Sequence, residues 1–99
     1  MLRHIVSWKL DGGDVAEVDD QVSRIASDLE SLAGRIPEII SIRVVRNVVN
    51  QGQNFDAAVI ADFEDADALN TYIEHPAHVE AAAYLKSVTV QRACVDFVV

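Results

Sequence analysis

The chain has 99 residues, 51% of them hydrophobic, and its sixteen acidic and eight basic residues give a formal net charge of −8. This length accommodates a single core, so residues 1–99 are predicted to form one domain. The acidic balance excludes a surface that attracts phosphate backbones or anionic lipids, so neither nucleic acid nor a membrane is expected as a partner.

The first third of the chain has the pattern of a strand followed by an amphipathic helix. Apolar and polar residues alternate over Leu2–Leu10, which is the period of a strand, and His4 falls on its more apolar face. Asp14, followed three residues later by Glu17, resembles the capping box that starts a helix. Gly34 predicts the end of this helix. Its inward stripe is predicted to consist of Val18, Val22, Ile25, Leu29, Leu32 and Ala33.

The middle of the chain predicts two strands joined by a hairpin. Ile39–Val49 is dense in β-branched residues, with Ile42 and Val44 on one face. Residues 50–53, Asn-Gln-Gly-Gln, have the composition of a hairpin loop. Apolar residues alternate again over Phe55–Phe63, which predicts the third strand.

The last third predicts a helix that a proline interrupts, and then a closing strand. Asp65 can cap this second helix. Pro76 lacks an amide donor and disfavours helical geometry at the preceding residue, so the helix ends or kinks there. Helix is predicted to resume over Val79–Ser87, and Val90–Val99 forms the fourth strand. The inward stripe of the second helix is predicted to be Leu69, Tyr72 and Ile73.

The element order, βαββαβ, predicts a ferredoxin-like α+β fold. Its four-stranded antiparallel sheet carries both helices on one face, which leaves the other face without a cover. The later strands nevertheless have apolar residues on both faces, for example Val59 beside Ile60, and Val95 and Phe97 against Val98. A second copy of the sheet is the simplest cover. We therefore expect a homodimer through the face opposite the helices, with a barrel-like interior.

The segment Tyr72–Val79, Tyr-Ile-Glu-His-Pro-Ala-His-Val, holds two of the three histidines and one of the two tyrosines. Together with His4–Leu10, the pair Ile36-Pro37 and the pair Asp96-Phe97, it resembles the stress-responsive A/B barrel domain (Dabb) family of dimeric α+β barrel proteins. The resemblance covers essentially the whole chain, and the Tyr-x-x-His-Pro-x-His spacing is its most specific part. It implies a homodimer whose sheets face each other and, as in many members, a stress-associated protein without a defined reaction.

The resemblance extends to a plant member, olivetolic acid cyclase, which closes a linear polyketide thioester into a ring by aldol condensation. Its catalytic tyrosine and histidine match Tyr72 and His78, and its first-strand histidine matches His4. The chain departs from this cyclase at Ala57 and Leu29, which stand where the cyclase has a pocket histidine and a pocket tyrosine. His78, Tyr72 and His4 are therefore the candidate catalytic residues of a cofactor-free cyclase or lyase.

The chemistry of these three side chains leaves the function open. An imidazole with a pKa of about 6.5 can take a proton from carbon at neutral pH, so His78 is the candidate general base. Tyr72 can hydrogen-bond a carbonyl that becomes an enolate, and His4 can orient His78 or the substrate. Alternatively, the segment only shapes a helix corner, or the protein binds a small apolar or aromatic ligand between sheet and helices without reacting with it. The non-catalytic dimer is the preferred interpretation.

No cofactor and no metal site are predicted. The chain has no glycine-rich phosphate loop, and a metal site built from His75, His78 and His4 lacks an obvious further ligand. His75 is therefore assigned to the helix corner. Cys94, the lone cysteine, precludes an intramolecular disulfide and is predicted to be a small buried hydrophobe. Since no apolar run is long enough to span a membrane, a cytoplasmic location is expected.

Overall fold

The computed structural model describes residues 1–99 and has a four-stranded antiparallel sheet with its helices on one face. The strands are β1 (Leu2–Leu10), β2 (Ser41–Arg46), β3 (Ala57–Phe63) and β4 (Thr89–Val98), in the order β2-β3-β1-β4 across the sheet. The helices are α1 (Val15–Glu30), α2 (Ala66–Glu74), α3 (Pro76–Ala81) and α4 (Ala83–Val88). The predicted ferredoxin-like α+β fold is confirmed. None of these helices is both long enough and apolar enough to cross a membrane.

The core lies between the helices and one face of the sheet, because successive side chains of a strand point to opposite sides. The pairing of Val6 with Val59 and of Trp8 with Ala57 sets β1 and β3 in register, so their buried residues share this face. The predicted strand faces are therefore correct. The helices and the turn after α1 complete the core with Val18, Val22, Ile25, Leu29, Leu32, Ile36, Leu69, Tyr72 and Leu85.

Local signals fix where the helices begin. The carboxylates of Asp14 and Asp65 each accept a hydrogen bond from the backbone amide three residues on, at 2.8 Å and 2.9 Å. These are the two predicted caps. Pro76 is the first residue of α3, and His75 before it is extended, with φ −62° and ψ 133°. The chain bends at Pro76 as predicted, and the helical region beyond it forms the two short helices α3 and α4.

The first helix is shorter than predicted. It ends at Glu30 instead of continuing to Gly34, and the chain then forms tight turns in which the amides of Leu32 and Ile36 donate to carbonyls of Leu29 and Leu32. Leu32 is fully buried even outside the helix, but Ala33 is exposed, so its assignment to the inward stripe is wrong. The apolar residues Leu29, Leu32 and Ile36 keep a spacing of three and four residues through these turns, so the sequence pattern predicted a longer helix than the structure has.

The second strand is also shorter than predicted, since it spans Ser41–Arg46 and not Ile39–Val49. The side-chain amides of Asn47 and Asn54 both donate to the Val49 carbonyl, at 2.7 Å and 3.2 Å. These bonds fold residues 47–56 into a longer connection than the predicted loop at 50–53. Val48 continues the β-branched run of the strand in sequence but is 76% exposed in this loop.

The sheet face away from the helices carries an apolar patch. Strand register aligns Ile60, Ile5 and Val95 side by side across β3, β1 and β4, and Phe97 lies on the same face of β4. We call these four residues the outer patch. Val95 is 61% exposed and Phe97 is 39% exposed. A single protomer therefore leaves apolar side chains of its sheet in water.

Candidate functional site

A cavity of about 480 Å³ lies between the inner face of the sheet and the helix layer, and all four helices contribute residues to its lining. This volume is within the range of small-molecule pockets. Nine of its fourteen lining residues are hydrophobic, and its apolar wall includes Trp8, Leu29 and Val59. All three predicted site residues, His4, Tyr72 and His78, line it as well.

Three different elements bring these side chains together. The alternation of β1 turns His4 to the inner face, and the inward stripe of α2 does the same for Tyr72. The extended backbone at His75 then redirects the chain, so that His78 of α3 packs against Tyr72 with 4.3 Å between ring centroids. The His4 ring lies edge-on to Tyr72 at 6.4 Å. Ile73, predicted as part of the inward stripe, is 42% exposed and lines the cavity instead of the core.

The His78 ring is oriented by the backbone. Its Nδ1 lies 3.1 Å from the Ile73 carbonyl oxygen, which can only accept a hydrogen bond, so the neutral ring carries its proton on Nδ1. The lone pair of the ring is therefore on Nε2. Burial lowers the pKa of His78 from its ordinary value, and the positive charge of Lys86 acts in the same direction. His78 is thus neutral at physiological pH and offers a proton acceptor.

The Tyr72 hydroxyl is a proton donor without a protein partner. Burial raises the pKa of Tyr72 to about 12, so the phenol keeps its proton at neutral pH. The side chain is only 2% exposed, yet no fully enclosed polar side-chain atom in the protein lacks a hydrogen bond. Since the hydroxyl makes no hydrogen bond within the chain, it must face open space, and the cavity is the space that Tyr72 lines.

His4 is paired with the carboxylate of Asp96, which was not among the predicted site residues. Its Nδ1 lies 2.5 Å from Asp96 Oδ1 and donates to it, while the ring is buried to 5% exposure. The strand register places His4 directly opposite Asp96 in the β1–β4 pair. The two residues are far apart in the chain, so no spacing rule predicted the pair. The local signals were an acidic residue between Val95 and Phe97 and the place of the pair Asp96-Phe97 in the family resemblance.

His75 lies at the helix corner, as predicted. Its Nδ1 accepts a hydrogen bond of 3.0 Å from the backbone amide of Ala77, at the start of α3. It is absent from the lining of the cavity. No hydrogen bond joins His4 to His78, whose ring is held by the Ile73 carbonyl instead.

Cys94 is exposed, so the prediction of a small buried hydrophobe is wrong. It lies on the edge strand β4, which no helix covers, with its Sγ 3.7 Å from His4 Nδ1 and 3.8 Å from Asp96. The pKa of its thiol is raised by partial burial and by the negative charge of Asp96, which disfavours the nucleophilic thiolate. His4, Cys94 and Asp96 offer three donor atoms within 4.8 Å of one another, and are the residues that can contribute ligands to a metal ion.

The lowered pKa of His78 predicts a pH-dependent stability. Between that pKa and the ordinary value of 6.5, the unfolded chain binds more protons than the folded one. The contribution of neutral His78 is therefore complete above pH 6.5 and is lost as the pH falls toward the lowered value. We expect His78→Asn, which keeps a donor for the Ile73 carbonyl but does not titrate, to lose less stability over this interval. Urea unfolding at about pH 7.5 and about pH 5.5 measures this difference, and parallel losses in both proteins would contradict it.

The fold and the cavity together define an α+β protein with a ligand-sized space between a ferredoxin-like sheet and its helices. Residues 2–99 match the Stress responsive A/B Barrel Domain, and the chain belongs to this family, which is also called Dabb. The family membership predicted from the sequence is confirmed.

Individual proteins of known sequence or structure are similar to this chain over most of its length. An uncharacterized protein of Streptomyces coelicolor is 32% identical over 83 residues, which is 84% of each chain. A dimeric ferredoxin-like protein of unknown function from Bacteroides fragilis is 32% identical, with a TM-score of 0.86 over 97% of this chain and 93% of its own. Another, from Thermobifida fusca, is 28% identical, with a TM-score of 0.82 over 99% of this chain and 90% of its own.

Proposed function

We propose that the protein is a homodimer that binds a small, largely apolar or aromatic molecule in the cavity between sheet and helices. The observation that carries this proposal is the combination of an apolar wall with a few free polar atoms on it. Trp8, Leu29 and Val59 supply the wall, and Tyr72 and His78 supply one donor and one acceptor. This combination is typical of ligand pockets, in which apolar area gives affinity and a few polar atoms fix orientation.

The polar atoms also limit what the ligand is. A phenol that donates and an imidazole Nε2 that accepts suit a ligand with a carbonyl oxygen next to an acidic C–H or O–H group. The Tyr72 and His78 rings are in contact, with 4.3 Å between their centroids, and both line the cavity, so one bound molecule can meet both side chains. The ligand class we propose is therefore an aromatic or polyketide-like carbonyl compound.

Binding of the uncharged fluorescent dye phenylnaphthylamine tests the cavity directly. We expect its emission to rise on binding, and the rise to be lost in Val79→Trp. Val79 lines the cavity and is 54% exposed, so an indole there obstructs the opening without entering the core. Val15→Trp, at a 49% exposed position on α1, is the matched control and is expected to bind like the wild type. Equal binding by Val79→Trp, or none by the wild type, would contradict a ligand-binding cavity.

A second candidate function is proton transfer without a cofactor, as in an aldol cyclase or a lyase. It is favoured by the contact between Tyr72 and His78, one a protonated phenol and the other a neutral imidazole. His78 Nε2 would remove a proton from carbon next to a carbonyl, and the Tyr72 hydroxyl would donate a hydrogen bond to the enolate oxygen as charge develops there. His4, fixed by Asp96, would position the substrate from the sheet side.

The homodimer we propose forms through the outer patch. Its support is the exposure of Val95 and Phe97 in the single protomer, and the dimeric state of the relatives from Bacteroides fragilis and Thermobifida fusca. Covering an apolar face of this kind is what stabilises an obligate dimer. A cytoplasmic location also stays a proposal, supported by the single unpaired cysteine.

A further inference from the structure

We infer that the ligand of the cavity is an organic acid, an apolar body with one anionic group that is held by Lys86 and Arg92. This inference rests on the proposed binding function and adds the charge of the ligand to it. Both cations line the cavity, whereas none of its fourteen lining residues is acidic. The chain has a net charge of −8, so its surface is acidic on average. The lining of the cavity is instead basic, with two cations and no carboxylate.

Neither cation has an ion pair, although acidic residues outnumber basic ones two to one. Arg3, Arg24 and Arg46 each pair with an aspartate, at 2.8 Å, 3.8 Å and 2.8 Å. No carboxylate in the protein lies within ion-pair distance of Lys86 or Arg92. Asp96, on the same strand face as Arg92, is paired with His4. Arg92 interacts with the Cys94 thiol, but the raised pKa of that thiol keeps it neutral, so the positive charges of both residues stay available to a ligand.

Their positions put the anionic group at one end of the cavity. Lys86 lies in the last turn of α4, and Arg92 is opposite Trp8 in the β1–β4 pair, on the inner face of the sheet. Between them in the chain, Thr89 also lines the cavity. An acid group there leaves the apolar body to extend over Trp8 and Leu29, toward Tyr72.

A purely structural role accounts for only one of the two cations. A lysine in the last turn of a helix interacts favourably with the helix dipole, and this explains Lys86 without a ligand. Arg92 lies on a strand, where no such dipole exists. The shared feature of the two residues is the cavity that both of them line.

Two dyes with the same aromatic skeleton test the inference. Anilinonaphthalene sulfonate carries one anionic group, and phenylnaphthylamine carries none. Because a charge-assisted contact is worth on the order of one factor of ten in affinity, we expect the wild type to bind the sulfonate about tenfold more tightly. The double variant Lys86→Gln with Arg92→Gln should lose this preference and still bind phenylnaphthylamine within about twofold of wild type. Both residues are exposed, so neither change disturbs the core.

Two controls assign the result to the cavity. Arg35→Gln removes an exposed cation that has no ion pair and lies outside the cavity, and it is expected to keep the preference. Val79→Trp should weaken both dyes, which separates the cavity from other apolar surfaces. Equal affinity of the two dyes for wild type, or an unchanged preference in the double variant, overturns the inference while the binding function stands. If neither dye binds, the proposed function itself fails, and the inference fails with it.

Discussion

Val95→Glu is expected to convert the protein to a monomer at micromolar concentration. Val95 is 61% exposed in the single protomer, so a glutamate there costs the isolated fold little. In a dimer formed through the outer patch, the same carboxylate is buried against apolar side chains, and the neighbouring cation of this face, Arg3, is already paired with Asp62. Burying an unpaired ion costs about 3 kcal/mol or more, and the two-fold symmetry of a dimer buries two of them. We therefore expect the dissociation constant to rise by at least about 10⁴-fold.

Val15→Glu is the matched control for this change. Val15 is also exposed, at 49%, and begins α1, where a carboxylate is favourable next to the free amides of a helix start. Its assembly state should be that of the wild type. Light scattering gives the mass of each protein, and circular dichroism shows whether the monomer stays folded. A Val95→Glu protein that remains a dimer would rule out the outer patch as the interface, and a wild type that is monomeric would rule out the dimer.

The second large effect that we expect is the loss of proton transfer in each of two variants, His78→Asn and Tyr72→Phe. For the test we choose exchange of the α-protons of phenylacetone with deuterated solvent, because this ketone is aromatic and exchanges slowly in buffer. Removing a general base costs about 10²- to 10⁴-fold in rate, and removing one hydrogen-bond donor to an oxyanion costs about 10²- to 10³-fold. On the proton-transfer function, both variants should therefore fall toward the exchange rate of buffer.

The two variants are chosen because both should stay folded, so that a lower exchange rate can be assigned to the missing side-chain group. Asparagine at position 78 keeps a donor for the Ile73 carbonyl, which is the one hydrogen bond that the imidazole makes. The Tyr72 hydroxyl bonds to no protein group, so its removal should change the free energy of unfolding by less than about 1 kcal/mol. His75→Asn, outside the cavity, is the control and should exchange like wild type. A marked loss of stability in either variant would favour a purely structural helix corner.

The pH dependence of the exchange rate is a second test of His78 as the base and Tyr72 as the hydrogen-bond donor. The pKa of His78 lies below 6.5, so the base is already neutral at pH 7, and the rate should rise with pH only below that range. Tyr72 keeps its proton until the pH nears about 12, so no decline from the phenol is expected in the usual range. If the wild type exchanges no faster than buffer, the proton-transfer candidate fails and ligand binding is the function left to test.

The sequence by itself determined the features that depend on neighbouring residues. The caps at Asp14 and Asp65 and the bend at Pro76 are set by side chains and backbone within a few positions, so they could be predicted. The faces of β1 and β3 follow from an alternation that the pleat imposes. The order of the elements predicted the fold, and the segment Tyr72–Val79 was specific enough to indicate the family. One local feature was not predicted. The side chain of Asn47 donates a hydrogen bond to the Val49 carbonyl, and β2 ends before it, although the apolar periodicity continues to Val49.

Only the tertiary structure decided which residues share the site. His4 and Asp96 are paired because β1 and β4 lie side by side in one register, although these strands are at opposite ends of the chain. The same register brings Cys94 next to His4 and sets Arg92 on the cavity face. The cavity is also a tertiary feature, since it is lined by residues of three strands and all four helices. Such contacts join residues that are distant in sequence, and no local pattern encodes them.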